Sequence, residues 1–283
     1  MTNHKNNELI SVEEFVEIMP NENVTIIDCR FDLMNKSYGE DKYLEGHIPG
    51  AIFLNIEKEL AGEVKTHGGR HPLPAIEDIH RTLQNKGISP NNKIVIYDDG
   101  DFSGAGRARL ILKYLGFKNI LLLDGGFNRY KENVGLISTH ETDCTSIKFD
   151  INIKEDLFVN MEYVKRAIQN EKIAIIDSRE PDRYKGIVEP VDFKKGHIPS
   201  SLNYFWMDVV DEKLCKMKSR EELEKHFEAL KKYEEIIVYC GSGITASVNS
   251  LALDIVGIKH KVYSGSFSDW ITYEDNEIEG LDS

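Results

Sequence analysis

The 283-residue chain predicts an α/β protein of two tandem domains, each a mainly parallel β-sheet flanked by helices. Short apolar runs alternate with amphipathic segments, and the alternation occurs twice, with the same motifs in the same order. With 41% hydrophobic residues, the chain is long enough to give each half its own core.

In the first half the runs Val24–Ile27, Ile94–Tyr97 and Ile120–Leu123 read as strands, and in the second Ile173–Ile176, Ile236–Tyr239 and Lys261–Tyr263. Ser11-Val12-Glu13-Glu14 has the form of a capping box that opens the first helix. Arg220 to Leu230 reads as an amphipathic helix with Leu223, Phe227 and Leu230 inward.

The repeat is explicit. Ile26-Ile27-Asp28-Cys29-Arg30 returns as Ile175-Ile176-Asp177-Ser178-Arg179, and Gly46-His47-Ile48-Pro49 as Gly196-His197-Ile198-Pro199. Lys93-Ile94-Val95-Ile96-Tyr97 returns as Glu235-Ile236-Ile237-Val238-Tyr239. Homologous domains of about 140 residues follow. The polar stretch from His140 to about Glu155 reads as the linker, with the cut placed between residues 1–144 and 145–283. Arg30, His47, Arg179 and His197 recur whether or not a nucleophile follows, so they are expected to brace loops, and Trp270 is expected in the core.

Composition removes several function classes. A formal net charge of −13 disfavours nucleic acid and anionic membrane surfaces as partners. The N-terminal Met-Thr-Asn-His-Lys-Asn-Asn-Glu has no apolar export segment, and no run approaches a membrane span. Cys29, Cys144, Cys215 and Cys240 are widely spaced, without a Cys-x-x-Cys pair, which fits reduced thiols in a cytoplasm better than zinc or a disulfide framework.

One cysteine stands apart. Ile236 to Ala246 reads Ile-Ile-Val-Tyr-Cys-Gly-Ser-Gly-Ile-Thr-Ala: a buried strand delivers Cys240 into a short glycine-rich loop, after which a helical pattern begins. Backbone N–H groups from Gly241 onward, through Gly243 and Ile244, are expected to curl around Sγ, and with the positive end of the helix dipole they favour the thiolate there. At the matching position the first repeat has Asp98, so only the second half carries a sulfur nucleophile. A cysteine phosphatase would close such a loop with an arginine six residues on, where this chain has Ala246.

The doubled Asp-x-Arg, the Gly-His-Ile-Pro motif and the strand-plus-cysteine loop resemble the tandem rhodanese-domain sulfurtransferases, over nearly the whole chain. The resemblance implies two rhodanese-like domains and an enzyme that moves a sulfane sulfur from a small anionic donor through a Cys240 persulfide. Cyanide, a thiol or a thioredoxin-like reductant would be the acceptor, with no metal or organic cofactor.

Thiosulfate-type members of that family carry a cationic Cys-Arg-Lys-Gly loop, whereas Cys240-Gly241-Ser242-Gly243-Ile244-Thr245 resembles the 3-mercaptopyruvate type. By the same resemblance Ser242 and Thr245 supply hydroxyls, His71 and Glu57 back Ser242, and Arg183 grips the substrate's anionic group. A second substrate arginine is expected a few residues after Arg183, but Gly186 to Phe193 contains none, leaving Lys194 or Lys195 as the substitute. The donor, 3-mercaptopyruvate or thiosulfate, therefore stays open. So does a non-catalytic reading, in which Cys240 carries a persulfide handed over by a partner protein.

Overall fold

The computed structural model describes residues 8–280, so the polar N-terminal stretch read for an export signal lies outside them, except for Glu8. The chain forms two compact units. The first comprises the described chain up to Ala61, Pro74–Lys154 and Asp211–Met217; the second comprises Gly62–Leu73, Glu155–Val210 and the chain from Lys218 onward.

In the first unit the elements are β1 (Leu9–Ile10), α1 (Val12–Ile18), β2 (Val24–Asp28), α2 (Tyr38–Glu45), β3 (Ala51–Phe53), α3 (Ile76–Asn85), β4 (Lys93–Tyr97), α4 (Ser103–Tyr114), β5 (Ile120–Leu123) and α5 (Gly126–Asn133). The five strands pair in the order β1-β5-β4-β2-β3, every pair parallel. The capping box is present: Ser11 Oγ accepts from the Glu14 N–H and the Glu14 carboxylate accepts from the Ser11 N–H. Phe15, Val95, Tyr97 and Tyr130 pack in the core on one face of the sheet.

The second unit repeats the plan with β6 (Phe158–Val159), α6 (Met161–Ala167), β7 (Ile173–Asp177), α7 (Pro181–Tyr184) and β8 (Leu202–Asn203). Two short strands, β9 (Val210–Asp211) and β10 (Lys216–Met217), lie outside both five-stranded sheets. The chain continues through α8 (Arg220–His226), β11 (Glu235–Tyr239), α9 (Ala246–Val256), β12 (Lys261–Tyr263) and α10 (Ser266–Trp270). The sheet order is β6-β12-β11-β7-β8, again parallel throughout. Each of the six predicted runs is a strand.

Helix α8 is shorter than its apolar spacing predicts. It ends at His226 and a 3₁₀ turn follows over Glu228–Lys232, yet Leu223, Phe227 and Leu230 are all buried as expected. The tighter winding keeps Leu230 inward while bringing the chain to β11 within a few residues.

The doubled motifs are the braces of the two units. Parallel pairing sets Tyr97 beside Asp28 and Tyr239 beside Asp177 at the carboxyl ends of adjacent strands. Each aspartate takes the next-but-one arginine through Nε and Nη2, with Nη2 at 2.7 Å for Arg30 and 2.6 Å for Arg179. The same arginines donate to the carbonyls of Gly46 and Gly196, which anchors the Gly-His-Ile-Pro segments. His47 and His197 stack on Tyr43 and Tyr184 and bond their carbonyls through Nδ1. Trp270 is buried and donates to the Glu277 carbonyl.

Candidate functional site

In the second unit the chain leaves β7 towards β8 on one side of the sheet and leaves β11 towards β12 on the other, so the carboxyl ends of β7 and β11 flank a topological switch point. Open α/β sheets leave a crevice at such a point, because the two connections depart in opposite directions. Cys240 follows β11 directly, and Arg179 and Arg183 follow β7. All three therefore lie at that end of the sheet.

Cys240 is buried, and its Sγ accepts the Gly243 N–H at 3.1 Å. Three further contacts hold the loop: the Cys240 N–H donates to Ser266 Oγ at 3.1 Å, and the Cys240 and Gly241 carbonyls accept the N–H groups of Phe267 and Ser268, each at 2.9 Å. Gly243 has φ of +81°, and a Cβ there would lie 2.3 Å from the Ser264 carbonyl. Gly243→Ala is accordingly expected to cost about 1–3 kcal/mol, read as a lower melting temperature by calorimetry. Beyond the loop, α9 is buried continuously from Ala246 to Leu253, and Ile244 packs just before it. Thr245 is the N-cap residue of α9, partly buried, and its side chain makes no capping bond.

The corresponding loop of the first unit holds a carboxylate in the same kind of cradle. Asp98 accepts from the N–H groups of Gly100 at 2.9 Å, Phe102 at 3.2 Å and Ala105 at 3.0 Å. Burial, with the nearby Asp101, pushes its carboxyl up to about 8 against the pull of the Ala105 and Gly100 N–H groups.

Residues 67–71, distant in sequence, belong to the second unit and are pinned there. His67 stacks on Tyr273, the Gly68 N–H donates to Asp269 at 2.6 Å, and the Arg70 N–H donates to Ser268 Oγ at 3.1 Å. Gly69 lies so close to the Gly265 carbonyl that a Cβ would come within 2.3 Å. This anchoring delivers His71 to the cysteine loop, where its Nδ1 lies 2.8 Å from Ser242 Oγ, both side chains being buried.

Arg70 is the residue that sequence reading missed. It adjoins His71, and its Nη2 lies 3.0 Å from where a Cβ on Gly241 would stand, with Arg183 Nη2 at 3.5 Å and Nη1 at 3.7 Å from that point. Two guanidinium groups therefore converge over the residue after the cysteine. Lys194 and Lys195, the substitutes suggested by sequence, are engaged elsewhere: Lys194 lies over the Phe193 ring and Lys195 bonds the Ile187 carbonyl. The only hint of Arg70 in the sequence was its position beside His71.

Carboxylates accompany these cations. Glu189 accepts from Arg183 Nη2 at 2.7 Å and from Arg179 Nη1 at 3.3 Å, while Asp192 pairs with both Arg70 and Arg183. Desolvation lowers the Arg70 guanidinium, and the facing Cys240 raises it. Glu57 is placed in the first unit, where it pairs with Lys36 at 3.9 Å.

The rhodanese-like domain profile matches residues 11–133 and again 160–273, most of the chain. The chain belongs to the rhodanese-like domain family. This rhodanese-like protein is 32% identical over 271 residues to the "Probable 3-mercaptopyruvate sulfurtransferase" of Pseudomonas aeruginosa, covering 94% of this chain and 95% of the relative. It is 28% identical over 253 residues to the thiosulfate sulfurtransferase of Rattus norvegicus, covering 87% and 84%. Its structure is similar to that of SseA from Escherichia coli, a 3-mercaptopyruvate sulfotransferase, with a TM-score of 0.81 at 28% identity, covering 93% of this chain and 99% of the other. The two matches fall one on each half of the chain, and each half holds one parallel sheet flanked by helices. Among the described residues of the rhodanese-like chain, no helix is long and apolar enough to cross a membrane.

Proposed function

We propose that this rhodanese-like protein is a sulfurtransferase that takes a sulfane sulfur from a small anionic donor, 3-mercaptopyruvate or thiosulfate, onto Cys240. The observation that carries this is the Cys240 Sγ held by the Gly243 N–H, with Arg70 and Arg183 converging over Gly241. A thiolate beside two guanidinium groups suits attack on a sulfur whose leaving group departs as an anion.

The Cys240 thiolate attacks the donor's outer sulfur. A new S–S bond forms, the bond joining that sulfur to the donor breaks, and its electron pair leaves with sulfite or with the enolate of pyruvate. Cyanide or an acceptor thiolate, including that of a thioredoxin-like reductant, then attacks the outer sulfur of the persulfide and returns Cys240 as the thiolate. Gly241, Gly243 and Ile244 form the wall of the anion cradle, and Arg183 with Arg70 orients the donor's carboxylate or sulfonate.

With 3-mercaptopyruvate the thiol proton must reach the enolate carbon, whereas sulfite leaves without one. Ser242, within hydrogen-bond reach of His71, is assigned that relay, with Thr245 as a second hydroxyl. Ser242→Ala is expected to lower kcat for 3-mercaptopyruvate by about 10²-fold and to change the thiosulfate rate far less. Equal losses with both donors would remove the relay from the mechanism.

The four free cysteines support a reducing, cytoplasmic setting. Steady-state transfer to cyanide from thiosulfate and from 3-mercaptopyruvate, side by side, tests the assignment. Turnover with either supports an enzyme; no turnover with both, combined with single-round loading of Cys240, would favour a persulfide carrier.

A further inference from the structure

The segment after α7 inverts the usual pattern of burial. Ile187, Val188 and Phe193 are exposed, Phe193 by 72%, while the side chains of Glu189 and Asp192 between them are only 1% and 3% exposed. Buried carboxylates require partners, and here the partners are the guanidinium groups at the cysteine loop. Asp192 bridges two of them, one oxygen to Arg70 and the other to Arg183 Nη2 at 3.1 Å.

The charges cancel. Arg70, Arg179 and Arg183 face Asp177, Glu189 and Asp192, so these six side chains sum to zero, and the Cys240 thiolate leaves the site one net negative charge before a donor arrives. Two nitrogens next to Gly241, Arg70 Nη2 and Arg183 Nη1, make no hydrogen bond among the described residues. Together they suffice for one carboxylate. The desolvation cost of an ion grows as the square of its charge, so a dianion loses about four times what a monoanion loses on entering a largely buried site that offers no net positive charge.

We propose that Asp192 is a specificity-determining residue: its carboxylate neutralises Arg70 and Arg183 beside the Cys240 loop, so the site takes singly charged 2-oxo-acid donors and discriminates against dianionic thiosulfate. This assignment rests on the sulfurtransferase function proposed above and narrows its donor class. The absent loop cations and the resident Asp192 act in the same direction.

The test compares the full-length protein with Asp192→Asn, measuring transfer to cyanide from both donors. In the variant, kcat/KM for thiosulfate is expected to rise at least about tenfold relative to that for 3-mercaptopyruvate, mainly through KM, the effect of one partly screened unit charge a few ångströms away. An unchanged donor ratio in a folded, active variant overturns the Asp192 assignment and leaves the sulfurtransferase function standing. Should Asp192→Asn not fold, inhibition of the unaltered protein decides. Pyruvate is expected to inhibit at least about tenfold more tightly than sulfate, and equal or tighter inhibition by sulfate overturns the assignment. No turnover by the unaltered protein with either donor overturns the enzyme reading and the Asp192 assignment with it.

Discussion

Cys240→Ser is expected to abolish sulfur transfer from both donors while leaving melting temperature and circular dichroism unchanged. Serine fills nearly the same volume, and its hydroxyl accepts the Gly243 N–H that now bonds Sγ at 3.1 Å. The contacts that shape the loop run through backbone groups of residues 240 and 241 and survive the exchange. Chemistry does not survive it, because an alkoxide is not formed at neutral pH and cannot hold a sulfane sulfur as a persulfide. Cys29→Ser, Cys144→Ser and Cys215→Ser are expected to retain most activity, none of them lying in the loop. Burial and the nearby Asp28 push the Cys29 thiol up, which leaves it unreactive. Steady-state transfer to cyanide with all four variants checks this, and full activity in Cys240→Ser would sink the mechanism.

Asp177→Ala is expected to produce the largest stability loss, about 3–5 kcal/mol, read as a lower urea midpoint. The reason is the charge left behind. Arg179 has a side chain only 1% exposed and donates to Asp177 through Nε and Nη2. Without Asp177 it keeps Glu189 at 3.3 Å, the Gly196 carbonyl and the Phe267 ring, but half of its carboxylate compensation is gone. The Phe267 N–H bonds the Cys240 carbonyl, so loosening Arg179 also loosens the support of the cysteine loop. A variant within about 0.5 kcal/mol of the parent would show that water replaces the lost partner. The equivalent Asp28→Ala change tests the same brace in the first unit, where Arg30 lies over Phe127.

The braces explain why so much of the architecture could be read from the chain. A parallel strand needs a continuous apolar run, and a chain that must place arginine beside aspartate at the same strand end twice has to repeat the same few residues. The cysteine loop was legible for the same reason, because a strand followed by Cys240-Gly241-Ser242-Gly243 defines a local conformation.

Other features had no local signature. The break between α8 and its 3₁₀ continuation depends on where β11 has to begin, and apolar spacing alone gives no sign of it. Arg70 comes from a segment some 170 residues before the cysteine and reaches the loop only because Gly69 permits a close approach to the Gly265 carbonyl. Nothing in the run from Gly186 to Phe193 marks Glu189 and Asp192 as buried. Their burial follows from ion pairing to arginines contributed by other segments.

By itself, then, the sequence determined two α/β units and one cysteine set between a strand and a glycine-rich loop, because strand periodicity, that loop and the repeated motifs are encoded within a few consecutive residues; the reaction class came from the resemblance those motifs carry. Tertiary structure alone decided which cations and carboxylates surround that cysteine. Charge at the site is a sum over segments far apart in the chain, and no local pattern records that sum.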